Sequence, residues 1–307
     1  MATLIRADER LTTAILGLKL ANPVLVASGP VSDSLPQIQR ALNAGAGGVV
    51  TKTIYVGDKE NIIERVKKGP AGVFNSTTYS RVKLEQWLRT LAVLAEQDAP
   101  VITSIYAHSP EQLGNLALRI VEAGSRALEI GVSCPNGASQ QVADWRLVGR
   151  YAAAVRKAVD VPFSVKLAAV SGLLENVKAS IGEGSHAISL SDALPSVLVD
   201  FEHRRLAFGG PVAYSGPAIK PIVLHSIYEL RQAGITCPIF GIGGVGSASD
   251  VLEYLEVGAN AVQLYTMLMT SGIELLSEIT GDLSAWCKKE GVTTQQLIGA
   301  ALPGASA

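Results

Sequence analysis

Ala127-Leu-Glu-Ile-Gly-Val-Ser-Cys-Pro-Asn136 is a short apolar strand running into a turn. Residues 127–132 have the composition of a strand buried on both faces, and Pro135 holds its predecessor extended and forbids further pairing. The turn therefore presents Cys134 and Asn136 at the strand's C-terminal mouth, where a barrel of parallel strands keeps its chemistry. A lone cysteine is more often buried and inert, so these ten residues alone leave both readings of Cys134 open.

Outward from this strand the same unit recurs. Further strands are predicted at 24–28, 47–51, 101–105, 163–167, 187–191, 238–242 and 261–265, all short and apolar. Helical stretches at 80–97, 110–123, 145–159, 216–233 and 248–256 lie between them. Several helices close on the same punctuation, Asn43-Ala-Gly, Glu122-Ala-Gly, Gln232-Ala-Gly and Glu256-Val-Gly, a glycine C-cap before the next strand. Eight βα units with no break in composition predict one (β/α)8 barrel, a TIM barrel, as a single domain over 1–307. A doubly wound open sheet is the alternative. Residues 11–20 are expected to form a ribbon at the barrel floor. Residues 201–210 read as a charged, loop-like insertion after the sixth strand, and 281–301 as a polar terminal helix.

Composition narrows the function classes. A net charge of −1 over 307 residues gives no electrostatic footprint for nucleic acid. No run of 18 apolar residues is present to span a membrane. The opening MATLIRADER carries charges where a signal peptide needs an apolar core, so a cytoplasmic protein is expected. Cys134, Cys237 and Cys287 form no CxxC pair, and neither a disulfide framework nor a metal site is expected. The four histidines show no ligand-like spacing and read as structural or surface residues.

A phosphate signal lies near the C-terminus. Ile239-Phe-Gly-Ile-Gly-Gly-Val245 puts Gly243 and Gly244 at the mouth of the seventh strand, and Tyr265 and Thr266 follow the eighth. Glycines let backbone N–H groups approach an anion, and the loops after strands seven and eight are the usual phosphate site of such barrels. Lys52 and Lys166 end the second and fifth strands and point into the same mouth, each with an anionic cofactor or a structural carboxylate as its possible partner. Asn75 precedes a long helix, where an ordinary turn residue is the other reading.

These pieces resemble the dihydroorotate dehydrogenases and the related pyrimidine-reducing domain of dihydropyrimidine dehydrogenase. The likeness runs from about residue 16 to 268. It is carried by Leu20-Ala-Asn-Pro-Val, Ala27-Ser-Gly, Thr51-Lys-Thr, Asn75-Ser, Ser133-Cys-Pro-Asn136, Val165-Lys-Leu, Ser215-Gly-Pro-Ala-Ile-Lys-Pro221, Gly241-Ile-Gly-Gly-Val and Gln263-Leu-Tyr-Thr. The resemblance implies an FMN-dependent oxidoreductase in which hydride passes between a dihydropyrimidine-like ring and the flavin. Cys134 looks like the acid/base, and Lys166 sits near the flavin's N1/O2 edge. FMN would be held by Ala27, Ser28, Lys52, Thr53, Ser215, Gly216, Gly243, Gly244, Tyr265 and Thr266. Asn75 and Asn136 would bind the substrate's amide edges.

The chain also departs from that family. Gly131 stands where those enzymes carry asparagine, and Ser191-Asp192 stands where they carry Asn-Thr or Asn-Ser at the substrate. Losing recognition amides costs affinity for orotate, and Asp192 opposes a substrate carboxylate. The expectation is therefore a cyclic amide, dihydroorotate or a relative, with a soluble electron acceptor or redox partner subunit and a homodimeric assembly. Two rival readings are a flavin-free phosphate-dependent isomerase or aldolase with Lys166 as nucleophile, and a partner subunit that binds FMN without chemistry.

Overall fold

The computed structural model describes residues 8–57, 64–69, 71–132 and 144–304. Eight short parallel strands form its centre: β1 (Val24–Val26), β2 (Gly48–Val50), β3 (Val101–Tyr106), β4 (Leu128–Gly131), β5 (Phe163–Ala168), β6 (Ala187–Asp192), β7 (Ile239–Ile242) and β8 (Ala261–Leu264). They pair in the order β2-β1-β8-β7-β6-β5-β4-β3, and β3 pairs back onto β2, which closes the cylinder. The expected barrel is formed, and the open doubly wound sheet is excluded.

Helices follow the strands: α1 (Leu35–Asn43), α2 (Leu84–Glu96), α3 (Pro110–Glu122), α4 (Trp145–Ala158), α5 (Leu173–Gly182), α6 (Lys220–Gln232), α7 (Ala248–Glu256), α8 (Thr266–Ser271) and α9 (Leu275–Glu290). Their starts are local chemistry. Ser109 and Ser247 cap α3 and α7 by accepting the N–H of Gln112 and Asp250, and Asp144 caps α4 through the N–H of Arg146. Two tight approaches demand glycine. A Cβ on Gly241 would meet the Tyr254 ring at 2.3 Å, which lets α7 lie close on β7, and a Cβ on Gly29 would meet the Tyr265 ring at 2.5 Å.

The core divides into two layers. The larger lies between strands and helices and holds Trp87, Phe163, Ile188 and Tyr254. The smaller fills the barrel floor with Leu25, Val50, Ile102 and Phe240, together with Ala127, Ala187 and Ala261. An antiparallel hairpin, Thr13–Ile15 with Leu18–Leu20, adds Ile15, Leu16, Leu18 and Leu20 to that floor. Above it the barrel interior is polar, with Ser104, Glu129, Ser164, Ser189 and Gln263 all buried.

Three features differ from the expectation. Residues 201–210 include part of a small ribbon, Val199–Asp200 with Arg205–Leu206, because the Asp200 carboxylate gathers His203 and Arg205 across the turn. The terminal helix runs Leu275–Glu290 instead of 281–301, since Gly291 takes the left-handed conformation (φ 70°) and ends it. A four-stranded antiparallel sheet, Leu194–Ser196, Val212–Ser215, Gly72–Asn75 and Val66–Gly69, stands beside the C-terminal mouth of the barrel.

Candidate active site

At the C-terminal ends of the strands a cavity encloses about 1030 Å³, counting the space open to solvent at its mouth. Its position follows from topology, since the βα loops converge there. One wall is made by the loops after β7 and β8 and by Val212–Ser215. Gly243, Gly244, Ser215, Tyr265 and Thr266 all line it. Ser215 and Thr266 share a hydroxyl hydrogen bond of 2.7 Å. Gly216 packs behind them: a Cβ there would meet Gly72 Cα at 2.7 Å and Thr266 Cγ2 at 3.3 Å. Gly244 is held equally tightly, its added Cβ falling 2.8 Å from Pro217 Cα. These are backbone cradles with no room for side chains, and both glycines adopt positive φ.

Two cations line the same cavity. Lys52, 4% exposed, lies 3.9 Å from Glu64, and Lys166, 8% exposed, lies 3.8 Å from Glu129. Of the two partners posed for these lysines, the structure shows the carboxylate beside each, and both lysines also line the cavity. Ala27, Ser28 and Thr53 line it too, with Thr53 Oγ1 bonded to Ser28 Oγ (3.1 Å) and Ser104 Oγ (2.9 Å).

Asn75, Ser191 and Asp192 also line the cavity. Asn75 ends the strand Gly72–Asn75 and accepts a hydrogen bond from Thr77 Oγ1 (3.0 Å). Ser191 Oγ donates to the backbone oxygen of Asp192 (2.5 Å) and accepts from Ala169 N–H (2.9 Å), so its one proton is already committed. Gly131 lies at the foot of the same space. An added Cβ would find only Thr53 Cγ2, at 3.9 Å. Cys134 and Asn136 lie outside the described residues.

The sequence reading missed Glu129 and the part played by Gln263. Glu129 is 0% exposed, and Gln263 Nε2 donates to its Oε2 (3.0 Å), so Glu129 couples β8 to Lys166 on β5. The signal was there: a carboxylate between Leu128 and Ile130, on a strand buried on both faces, demands a buried partner. Gln263 Oε1 and Tyr265 Oη are buried without a hydrogen-bond partner among the described residues. Burial, followed by the nearby Glu64 charge, pushes the Tyr265 hydroxyl up to about 12.

Comparison with known proteins gives the kinship of the chain. The family model described as dihydroorotate dehydrogenase matches residues 10–286. The catalytic subunit of dihydroorotate dehydrogenase B (NAD(+)) from Methanothermobacter thermautotrophicus is 32% identical over 95% of this chain and 98% of its own length. The corresponding protein of Maridesulfovibrio salexigens is 36% identical over 81% of this chain and 85% of its own length. A crystal structure of DHODH in complex with ferulenol, from Eimeria tenella, superposes with a TM-score of 0.81 at 15% identity, covering 97% of this chain and 90% of that one. That structure supports the fold, and the family model and the sequence relatives support the kinship. The chain belongs to the dihydroorotate dehydrogenase family.

Proposed function

We propose that the chain, as one domain over 1–307, is an FMN-dependent oxidoreductase acting on the ring C–C bond of a dihydropyrimidine-like cyclic amide, the class that includes dihydroorotate. The observation that carries this is one cavity lined both by a glycine cradle and by two carboxylate-paired lysines. Such a cavity suits a group with a phosphate at one end and an electron-poor ring at the other. The close-packed backbone at Gly216 and Gly244 leaves N–H groups, not side chains, to meet the phosphate. Gln263 Oε1, without a hydrogen-bond partner among the described residues, supplies a buried acceptor for a ring N–H.

Ser215, Gly216, Gly243, Gly244, Tyr265 and Thr266 would hold the phosphate and ribityl chain of FMN, and Ala27, Ser28, Lys52, Thr53 and Lys166 its ring. Bound there, FMN supplies a two-electron acceptor for the substrate's hydride. Lys166, oriented by Glu129, keeps a positive charge where negative charge develops. Cys134 takes the proton from the neighbouring substrate carbon, so the C–C bond loses hydride and proton together. Asn75 and Asn136 orient the substrate's amide edges.

Relatives that are named catalytic subunits support a second, electron-accepting subunit or another soluble acceptor as partner. No helix among the described residues is long and apolar enough to cross a membrane. A homodimer in the cytoplasm completes the proposal. The test is direct. The purified protein should be yellow with stoichiometric FMN, and a dihydropyrimidine should bleach it. A colourless protein that ignores added FMN in a binding titration rejects the proposal, and a yellow one that no dihydropyrimidine bleaches leaves only the non-catalytic partner subunit.

A further inference from the structure

We infer that Gln263 reads the imide N–H of the bound cofactor ring, and so fixes which end of the ring lies against β8. The inference rests on the proposed function and names the contact that orients FMN within it. Gln263 is the penultimate residue of β8, lines the cavity and is 1% exposed. Its Nε2 donates to Glu129 Oε2 (3.0 Å), and its Oε1 has no hydrogen-bond partner among the described residues. A carboxylate beside a lysine only accepts, so this bond determines which way round the amide lies. What remains of Gln263 is a carbonyl, an acceptor and nothing else. A buried acceptor left unpaired is costly, so the site is built for a donor.

The chemistry of the ring then leaves one solution. Oxidised isoalloxazine presents acceptors at its two carbonyls and two bare ring nitrogens, and a single N–H, the imide between the carbonyls. Any other edge would set acceptor against acceptor, which excludes it. Glu129 Oε1 lies 3.8 Å from Lys166, so the Gln263 amide and the Lys166 ammonium flank one carboxylate. An acceptor and a cation held so close together match the N–H and the adjoining carbonyl of the imide end. The imide proton is present in both redox states of the ring. This contact therefore binds the ring without favouring either state, unlike the charge on Lys166.

Titrating the flavin-stripped protein with FMN and with FMN methylated at the imide nitrogen tests this. Substrate is left out, because a dihydropyrimidine carries the same N–H and carbonyl edge. FMN should bind the unaltered protein about tenfold or more tightly than the methylated ring, the scale of one buried acceptor left unpaired. Gln263→Met should weaken FMN and shrink that ratio about tenfold, since the methyl group then meets a thioether instead of a carbonyl. FMN bound to the variant should keep the reduction potential it has in the unaltered protein. Equal binding of the two flavins to the unaltered protein overturns the inference without recourse to any variant. A ratio indifferent to Gln263→Met, or a potential shifted as far as by Lys166→Ala, overturns it as well and leaves the FMN reading standing. A protein that takes up no FMN overturns both.

Discussion

Glu129, Lys166 and Gln263 show how much one buried charge organises. A fully buried carboxylate is tolerable here because a lysine and an amide meet it from two other strands. Removing one partner takes away the nearby carboxylate that balances the buried lysine, so Glu129→Gln should cost up to about 3–5 kcal/mol of stability, the usual scale for breaking a buried pair. The double variant Glu129→Gln/Lys166→Met should recover most of that loss, and denaturant melts of the three proteins decide it. An additive double variant would show that the pair is not coupled. Lys166→Ala should retain FMN but shift its reduction potential downward, because a cation near the ring favours the reduced, anionic form. An unchanged potential, read by dye equilibration, would give Lys166 a purely structural role. Cys134→Ala should keep FMN and slow bleaching by a dihydropyrimidine roughly a hundredfold or more, the scale of a lost acid/base. Bleaching at the normal rate would take Cys134 out of the chemistry.

At the scale of elements, α6 and α7 are tied together beneath the glycine cradle. Lys220 on α6 reaches Asp250 (2.5 Å) and Glu253 (2.9 Å) on α7, and Asp250 also accepts from Gly246 N–H and Ser247 Oγ. Burial alone would raise the Asp250 carboxyl, but its bonds from Lys220, Gly246 and Ser247 outweigh that and hold it below the ordinary carboxylate range. A carboxyl lowered on folding adds stability above its unfolded value and loses it as pH falls through the folded one. Asp250→Asn should therefore cost about 1.5–3 kcal/mol at neutral pH, the range for hydrogen bonds to a charge. The gap between the two melting temperatures should begin to narrow as pH falls below about 4, the unfolded aspartate value, and close only below the lowered folded one. A gap that stays constant down to pH 2 would show that the clamp is not ionic. The helix α7 was legible in advance because Ser247 caps it and Gly258 ends it. The antiparallel sheet was not: Ala213 pairs with Asn75, far away in sequence, and no local pattern in Gly72–Asn75 names such a partner. The glycine cradle and both lysines could be read for the opposite reason, since each stands at the end of a strand whose direction was already settled. Glu129 escaped notice because its partners come from β5 and β8.

The whole molecule is a barrel whose lower half is apolar and whose upper half is polar, and this division sets what the fold can bear. Strands that are buried on both faces read as unbroken apolar runs, which is why all eight were visible in the sequence. Which side chains point inward was not visible, because a strand buried on both faces shows no alternation. The structure settles it through size: Phe240 clusters at the floor with Ala127, Ala187 and Ala261, a large ring among small neighbours, and the hairpin leucines Leu18 and Leu20 belong to the same cluster. Interiors are close-packed, so those alanines cannot move in to refill the volume of a lost ring. Phe240→Ala should cost about 3–5 kcal/mol, the range for phenylalanine truncated in a core. Phe201, 79% exposed, supplies the internal control, since Phe201→Ala empties no core and should change stability by less than about 0.5 kcal/mol. Because the floor lies in the apolar half, away from the cavity wall, Phe240→Ala should lower the melting temperature while the fraction that remains folded binds FMN with unchanged affinity. Equal melting temperatures for the two variants would mean that the floor is not the keystone of the barrel. A parallel loss of FMN affinity in the folded Phe240→Ala protein would mean that floor and mouth are one cooperative layer.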